Sequence, residues 1–170
     1  PTQCGGDRPG GTIASTHDKT GAVVPTVTGS KLVEPLSGTF DNNKLTLEVK
    51  DIAKLDSSAM TLDDTDSIIT AVHKELQRKD VDGVVVTHGT DSMEETAIAV
   101  DTFQDSEKPV ALTGAMRPFD DPNPDGPDNL ALAVKTVTEP ANRGRGTFIA
   151  FADQVLSLIH ISEPTRLLSI

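Results

Sequence analysis

The stretch Gly83-Val84-Val85-Val86-Thr87-His88-Gly89-Thr90-Asp91-Ser92-Met93-Glu94-Glu95-Thr96 carries the fold class. Its first five residues are near-continuously apolar and β-branched, the mark of a strand covered on both faces, as in a parallel sheet. After His88-Gly89 the period changes. Met93, Ala97, Val100 and Phe103 recur at helical spacing, which predicts a helix over 92–104. A buried strand that turns directly into a helix is half of a βαβ unit.

The same grammar repeats on either side. Pro109–Thr113 and Thr147–Phe151 read as two more buried strands. Leu45, Leu47 and Val49 alternate with Thr46 and Glu48, predicting a half-buried strand at 45–50. Leu62, Ile69, Val72 and Leu76 mark a helix over 62–79, and Leu130, Ala133, Val134 and Val137 mark one over 127–138. Thr61-x-x-Asp64 and Ser92-x-x-Glu95 have the form of capping boxes, and Pro127 suits a first helical turn. Strands alternating with helices predict an α/β domain: a doubly wound, mostly parallel sheet flanked by helices. Two loops look long, at 15–30 and 118–127. At the start, Pro1–Pro9 is too polar and too rich in Gly and Pro for a buried strand, so 1–9 is expected to be an atypical N-terminus whose first strand is lost or frame-shifted.

Composition narrows the function classes. The chain has 170 residues, 26 Asp+Glu against 15 Lys+Arg, and a net charge of −11. That length buries roughly 70% of the unfolded surface as one domain. The acidic balance argues against nucleic acid, since phosphate affinity needs clustered Lys and Arg. One Cys excludes a disulfide within the chain. No apolar run reaches the roughly 18 residues of a membrane span. No basic segment precedes an apolar stretch, and the expected compartment is the cytoplasm.

Ligands in open α/β sheets bind beyond the carboxyl ends of the strands. Two Thr-bearing turns belong there: Gly10-Gly11-Thr12-Ile13-Ala14-Ser15 and Thr87-His88-Gly89-Thr90-Asp91-Ser92. By itself the second reads equally as a capped helix start, because Thr, Asp and Ser satisfy orphan N–H groups. A phosphate cradle is weak, with neither Gly-x-x-x-x-Gly-Lys-Ser/Thr nor a Gly-x-Gly-x-x-Gly after a strand. His17, His73, His88 and His160 show no ligand spacing, so no metal or organic cofactor is expected. His73 reads as a solvated helix residue, and His88 as a turn residue that holds its loop by hydrogen bonds.

The combination is more specific than its parts. Gly-Gly-Thr-Ile-Ala-Ser at 10–15, Asp56-Ser57-Ser58-Ala59-Met60-Thr61, the Val85–Thr96 stretch, Leu112-Thr113-Gly114-Ala115-Met116-Arg117-Pro118 and Asp125-Gly126-Pro127-Asp128-Asn129-Leu130 follow in this order. That series resembles the bacterial-type L-asparaginase/glutaminase family across 10–155, almost the whole of its larger N-terminal domain. The resemblance implies hydrolysis of the side-chain amide of L-asparagine to L-aspartate and ammonia. Thr12 matches the family's nucleophilic threonine on a loop that closes over substrate. Thr90 matches the second threonine, which orients or attacks the amide. Asp91 matches the carboxylate for the substrate α-ammonium group, Ser57 the serine for its α-carboxylate, and Ser58 the adjacent binding position. A threonine hydroxyl needs a base to become a nucleophile, and N–H groups or a hydroxyl can hold the developing oxyanion. Glutamine is admitted as a second substrate, since one methylene is worth only about 1–3 kcal/mol of discrimination. The resemblance also implies a homodimer or homotetramer.

Three departures qualify the match. The chain has no Tyr, whereas many relatives place one on the mobile loop; Thr16, Thr26 or Thr28 must serve, or the role is unfilled. Ser92 stands where a Thr is usual. The family's catalytic lysine follows the strand at 147–153, yet no Lys occurs after Lys135. Leu156–Arg166 also reads as the translation of a sequence that resembles a transposase-type sequencing adapter, so 156–170 is expected to be a non-native tail, with the smaller C-terminal domain absent. On that expectation these 170 residues form an incomplete, inactive fragment. Two other functions stay open: a non-catalytic amino-acid-binding domain, and a glutaminyl-tRNA amidotransferase-type paralogue of the same fold.

Overall fold

The structure, a computed structural model, describes residues 2–8, 14–17, 19, 23–25, 27–36, 38–40, 45–52 and 57–158, without the side chains of 2–8, 23–25 and 51. In chain order the strands are β1 (Thr2–Arg8), β2 (Ser15–His17), β3 (Val23–Pro25), β4 (Leu45–Asp51), β5 (Gly83–Thr87), β6 (Val110–Thr113), β7 (Thr147–Phe151) and β8 (Gln154–Ser157). The helices are α1 (Gly29–Val33), α2 (Leu62–Leu76), α3 (Met93–Phe103) and α4 (Gly126–Thr138).

The main sheet runs β4-β1-β5-β6-β7-β8. Its first five strands are parallel, and β8 returns antiparallel to β7. Numbered by sequence, the parallel strands lie in the order 2-1-3-4-5, so the chain reverses its winding between β1 and β5. That reversal opens a crevice at the carboxyl ends of these two strands, where doubly wound proteins bind ligands.

Alternation along the buried strands sends side chains to two cores. Val85 and Ala111 join Leu130, Ala133, Val134 and Val137 of α4, with Leu32 and Leu36 from the α1 region. Val84, Val86, Val110 and Leu112 join Ile68, Val72 and Leu76 of α2 and Met93, Ala97 and Val100 of α3. Each Val, Leu, Ile or Met among them contributes roughly 1.5–3 kcal/mol by leaving water. Gly83 is small of necessity, because a Cβ there would lie 2.8 Å from that of Val137.

Four features differ from the sequence-based expectation. The polar segment 1–9 was expected to form no buried strand, yet Thr2–Arg8 lies between β4 and β5, paired in parallel with both. Parallel ladders are made by main-chain groups, which every residue but Pro supplies, so side-chain polarity does not bar the slot. The long loop at 15–30 contains the β2–β3 hairpin and the start of α1. On α2 the buried stripe is Ile68, Val72 and Leu76, whereas Leu62, in the first turn, is 89% exposed; Phe103, in the last turn of α3, is 64% exposed. Finally, the expected boundary at 155 falls inside β8, and Leu158 beyond it is buried with the α2–α3 core.

The β7–β8 turn is two residues, Ala152 and Asp153, with φ of 50° and 60°. Positive φ at both positions suits the twist of a type I′ hairpin. The Ala152 amide donates to Asn129 Oδ1 at 3.0 Å, which helps hold a conformation that alanine disfavours. No helix among the described residues is long and apolar enough to cross a membrane.

Candidate active site

At the carboxyl end of β5 the chain passes through His88 and Gly89 into a single 3-10 turn, Thr90–Ser92, and then α3. A second 3-10 turn, Ser57–Ala59, precedes α2. The two turns meet. Ser57, buried, donates its hydroxyl to Asp91 Oδ2 at 3.2 Å, and Ser92 donates its hydroxyl to the Ser57 carbonyl at 2.8 Å. Ser92 Oγ also lies 3.4 Å from Met60 Sδ. Thr90 is half-buried, while Asp91 and Ser58 face solvent. Of the five sequence-predicted site residues, the structure therefore brings together Ser57, Ser58, Thr90 and Asp91, beside the crevice between β1 and β5. Thr12 lies outside the described residues.

The turn owes its shape to the layer beneath it. The backbone amide of His88 donates to the Thr113 carbonyl at 2.7 Å, tying it to β6. The His88 ring is fully buried: Nδ1 lies 2.7 Å from the Gly89 carbonyl and Nε2 lies 3.0 Å from Thr96 Oγ1. A carbonyl can only accept, so Nδ1 carries the proton and Nε2 accepts from the Thr96 hydroxyl. Burial pushes the imidazole pKa down, against a smaller upward pull from the Gly89 carbonyl and Glu95, and the ring is a neutral strut. His88 acts as the sequence suggested.

Gly114 packs under the same turn. A Cβ there would come within 2.5 Å of the His88 carbonyl oxygen and 2.7 Å of Met93 Cε. Asn129 Nδ2 donates to the Gly114 carbonyl at 3.0 Å, and its Oδ1 takes the Ala152 amide, so one side chain joins the loops after β6 and β7. Asp125, at the N-cap of α4, makes no capping bond. It accepts the amides of Met116 and Arg117 at 3.0 and 2.8 Å, fixing the Gly-Ala-Met-Arg loop. Burial raises the Asp125 pKa, but these N–H donors outweigh it and hold the carboxyl below its usual range.

The Ser92-x-x-Glu95 capping box expected from the sequence does not form, because the Ser92 hydroxyl turns away to Ser57. The Thr61–Asp64 box does form, with both reciprocal bonds. Sequence reasoning also missed a tether at the hairpin. The His17 amide and ring Nδ1 contact Asp120 at 2.9 and 3.0 Å, and the Phe119 amide donates to the Ser15 carbonyl at 2.9 Å. The backbone amide of His17 does most to hold Asp120 below the usual carboxylate range. Residues 103 positions apart carry no local pattern to announce such a contact.

Chemically, the two turns offer a carboxylate for a cation, a buried hydroxyl for an anion, and two helix N-termini whose dipoles favour negative charge between them. A family model described as "Asparaginase, N-terminal" matches residues 8–163. L-asparaginase 2-3 of Saccharomyces cerevisiae is 36% identical over 151 residues, covering 87% of this chain and 41% of that protein. L-asparaginase 2 of Bacillus subtilis is 36% identical over 124 residues, 68% of this chain and 33% of its own length. Among solved structures, a probable cytoplasmic L-asparaginase from Campylobacter jejuni superposes with a TM-score of 0.83 at 34% identity, over 92% of this chain and 48% of that one. The chain thus spans less than half the length of the relatives it matches. By its motifs, its sheet order and this match over most of its length, the chain belongs to the asparaginase family, whose N-terminal domain it represents.

Proposed function

We propose that this site binds L-asparagine and L-aspartate, and that the protein hydrolyses the side-chain amide of asparagine to aspartate and ammonia. The observation that carries the reading is the 3.2 Å bond from Ser57 Oγ to Asp91 Oδ2. In the free site each group satisfies the other. An amino-acid zwitterion replaces both halves of that bond: its ammonium takes over Asp91, and the Ser57 hydroxyl rotates onto its carboxylate. The exchange leaves neither group unpaired, which a ligand with only one of the two charges does not achieve.

In the reaction, Thr12 attacks the amide carbon, the leaving ammonia takes a proton, and water then hydrolyses the threonine ester to release aspartate. Thr90, by its match to the family's second threonine, orients the amide or shares in the attack. Glutamine is a weaker second substrate. The family's lysine has no counterpart among residues 136–170, so these 170 residues are expected to bind more readily than they turn over. The whole protein works as a homodimer or homotetramer in the cytoplasm, the compartment given for the Campylobacter jejuni neighbour; a Haemophilus influenzae relative, 45% identical over 87 residues, is described as periplasmic.

Calorimetric titration with L-aspartate, beside ammonia release from L-asparagine, tests the reading. The expected result is saturable aspartate binding that weakens about 10- to 100-fold in Asp91→Ala, as for the loss of a charged hydrogen bond. Unchanged affinity in that variant removes Asp91 from its role. In a version that carries the lysine, Thr12→Ala is expected to cost orders of magnitude in turnover; full activity there overturns the nucleophile assignment. Aspartate binding with no turnover in the lysine-bearing version favours a non-catalytic binding domain instead.

A further inference from the structure

We propose that Ser92 is a positioning residue of this site, fixing the separation between the group that takes the ligand carboxylate and the group that takes its ammonium. The proposal rests on the reading of Ser57 and Asp91 given above and adds to it the element that sets their spacing.

Ser92 stands at the N-cap of α3 with Glu95 three residues on, the sequence form of a capping box. Its backbone nevertheless has φ −133° and ψ 23°, and its side chain makes no cap bond. The hydroxyl donates instead to the carbonyl of Ser57, 35 residues away, at 2.8 Å. Met60 Sδ at 3.4 Å is a poorer acceptor on the same side. A cap would need the Ser92 oxygen to face the first amides of α3, whereas the side chain is turned to the Ser57 carbonyl, so the long-range bond stands in place of the helix cap.

Ser57, Asp91 and Ser92 thereby form a closed clasp. The Ser57 hydroxyl reaches forward to the Asp91 carboxylate, and the Ser92 hydroxyl reaches back to the Ser57 carbonyl. These two bonds have different fates. The Ser57–Asp91 bond must open when a zwitterion enters, because both groups turn to the ligand. The Ser92–Ser57 bond uses neither ligand-binding atom and stays closed. It therefore keeps the two short 3-10 turns in register once their direct contact is lost. A ligand that touches both turns depends on that register, whereas one that lacks the ammonium group does not.

The test is calorimetry on the 170-residue chain with L-aspartate and with succinate, which lacks the ammonium group. The proteins are the unsubstituted chain, Ser92→Ala and Ser92→Thr, each checked for fold by circular dichroism. Ser92→Ala is expected to bind L-aspartate about five- to tenfold more weakly, the scale of one lost hydrogen bond, and succinate within about twofold of the unsubstituted chain. Ser92→Thr, which keeps the hydroxyl, is expected to restore L-aspartate binding to within about twofold. Equal losses for both ligands, or no rescue by Thr, would show a merely structural effect and overturn the proposal. So would unchanged L-aspartate affinity in Ser92→Ala. If that variant does not fold, Ser92→Cys, a weak donor of similar size, replaces it under the same criteria. Failure of the unsubstituted chain to bind L-aspartate overturns the reading of the site itself, and this proposal with it; binding there with no effect at Ser92 overturns this proposal alone.

Discussion

Nε2 of His88 lies 3.0 Å from Oγ1 of Thr96, with the imidazole wholly inside the protein. Thr96 belongs to the first turns of α3, and His88 to the loop that delivers Thr90 and Asp91. The bond ties the helix to the loop from below, and burial of the ring requires the imidazole to be neutral.

A pH dependence follows from that requirement. Burial lowers the folded-state pKa of His88 below the usual value near 6.5. Between the two pKa values the unfolded chain binds the extra proton, so stability rises with pH in that window. The contribution is complete above about pH 6.5 and is lost as pH falls towards the folded-state pKa, by up to about 1.4 kcal/mol per pH unit for one proton. Urea midpoints of the chain are expected to fall between pH 7 and 5, with a shallower slope in His88→Gln, which cannot take up the proton. Parallel slopes in the two proteins would remove His88 from this role.

Gly114 supports the same loop by having no side chain. Gly114→Ala would push a methyl to within 2.5 Å of the His88 carbonyl oxygen, a backbone atom of a residue whose amide is anchored to β6. The expected cost is about 1–3 kcal/mol of overpacking, read as a lower urea midpoint. L-aspartate affinity is expected to fall with it, because the displaced atom lies two residues from Thr90. A stable Gly114→Ala protein with normal affinity would show that the loop yields more easily than its contacts imply.

The strand-and-helix grammar was legible from local pattern: β5, β6 and β7 lie where continuous apolar runs put them, β4 where alternation did, and α2, α3 and α4 where helical spacing did. What escaped the sequence depends on partners far along the chain. Thr2–Arg8 has no apolar signature, and only the empty slot between β4 and β5 makes it a strand. Ser92 has the sequence form of a helix cap and Asp125 stands at the N-cap of α4, yet both spend their side chains on other loops. Local pattern identifies a residue able to cap, but a nearby carbonyl or amide of the tertiary fold decides whether it does. The site was readable through a resemblance of ordered motifs, since the spacing of Ser57 and Asp91 alone implies no contact.

Thr61 is the cap that does form, and it separates stability from binding. Its hydroxyl accepts the Asp64 amide, its own amide donates to the Asp64 carboxylate, and both bonds lie at the exposed start of α2. Thr61→Ala is expected to cost about 1 kcal/mol of stability. The hydrogen bonds of Thr61 all lie within the start of α2 and none reaches Ser57 or Asp91, so L-aspartate affinity should change less than about twofold, in contrast to Ser92→Ala. A large affinity loss in Thr61→Ala would mean that the Ser57 turn is held through α2 rather than through Ser92.

The Asp120 carboxylate gives a readout at one atom. It accepts the His17 amide at 2.9 Å, at the last residue of β2, while the neighbouring Phe119 amide reaches the carbonyl of Ser15 at the first. The adjacent residues Phe119 and Asp120 thus grip the segment that follows Thr12 in the chain. Asp120→Ala removes the acceptor and leaves the Phe119 bond in place. The His17 amide is then expected to exchange its hydrogen about tenfold faster, the scale of one lost hydrogen bond, while amides of β5 and β6 keep their protection. Because neither Asp120 nor His17 bonds to Ser57 or Asp91, aspartate affinity is expected to hold. Turnover in a lysine-bearing version should fall, since Thr12 must be delivered by this anchored segment. Unchanged exchange at His17 would show that the hairpin base is held by the Phe119–Ser15 bond alone.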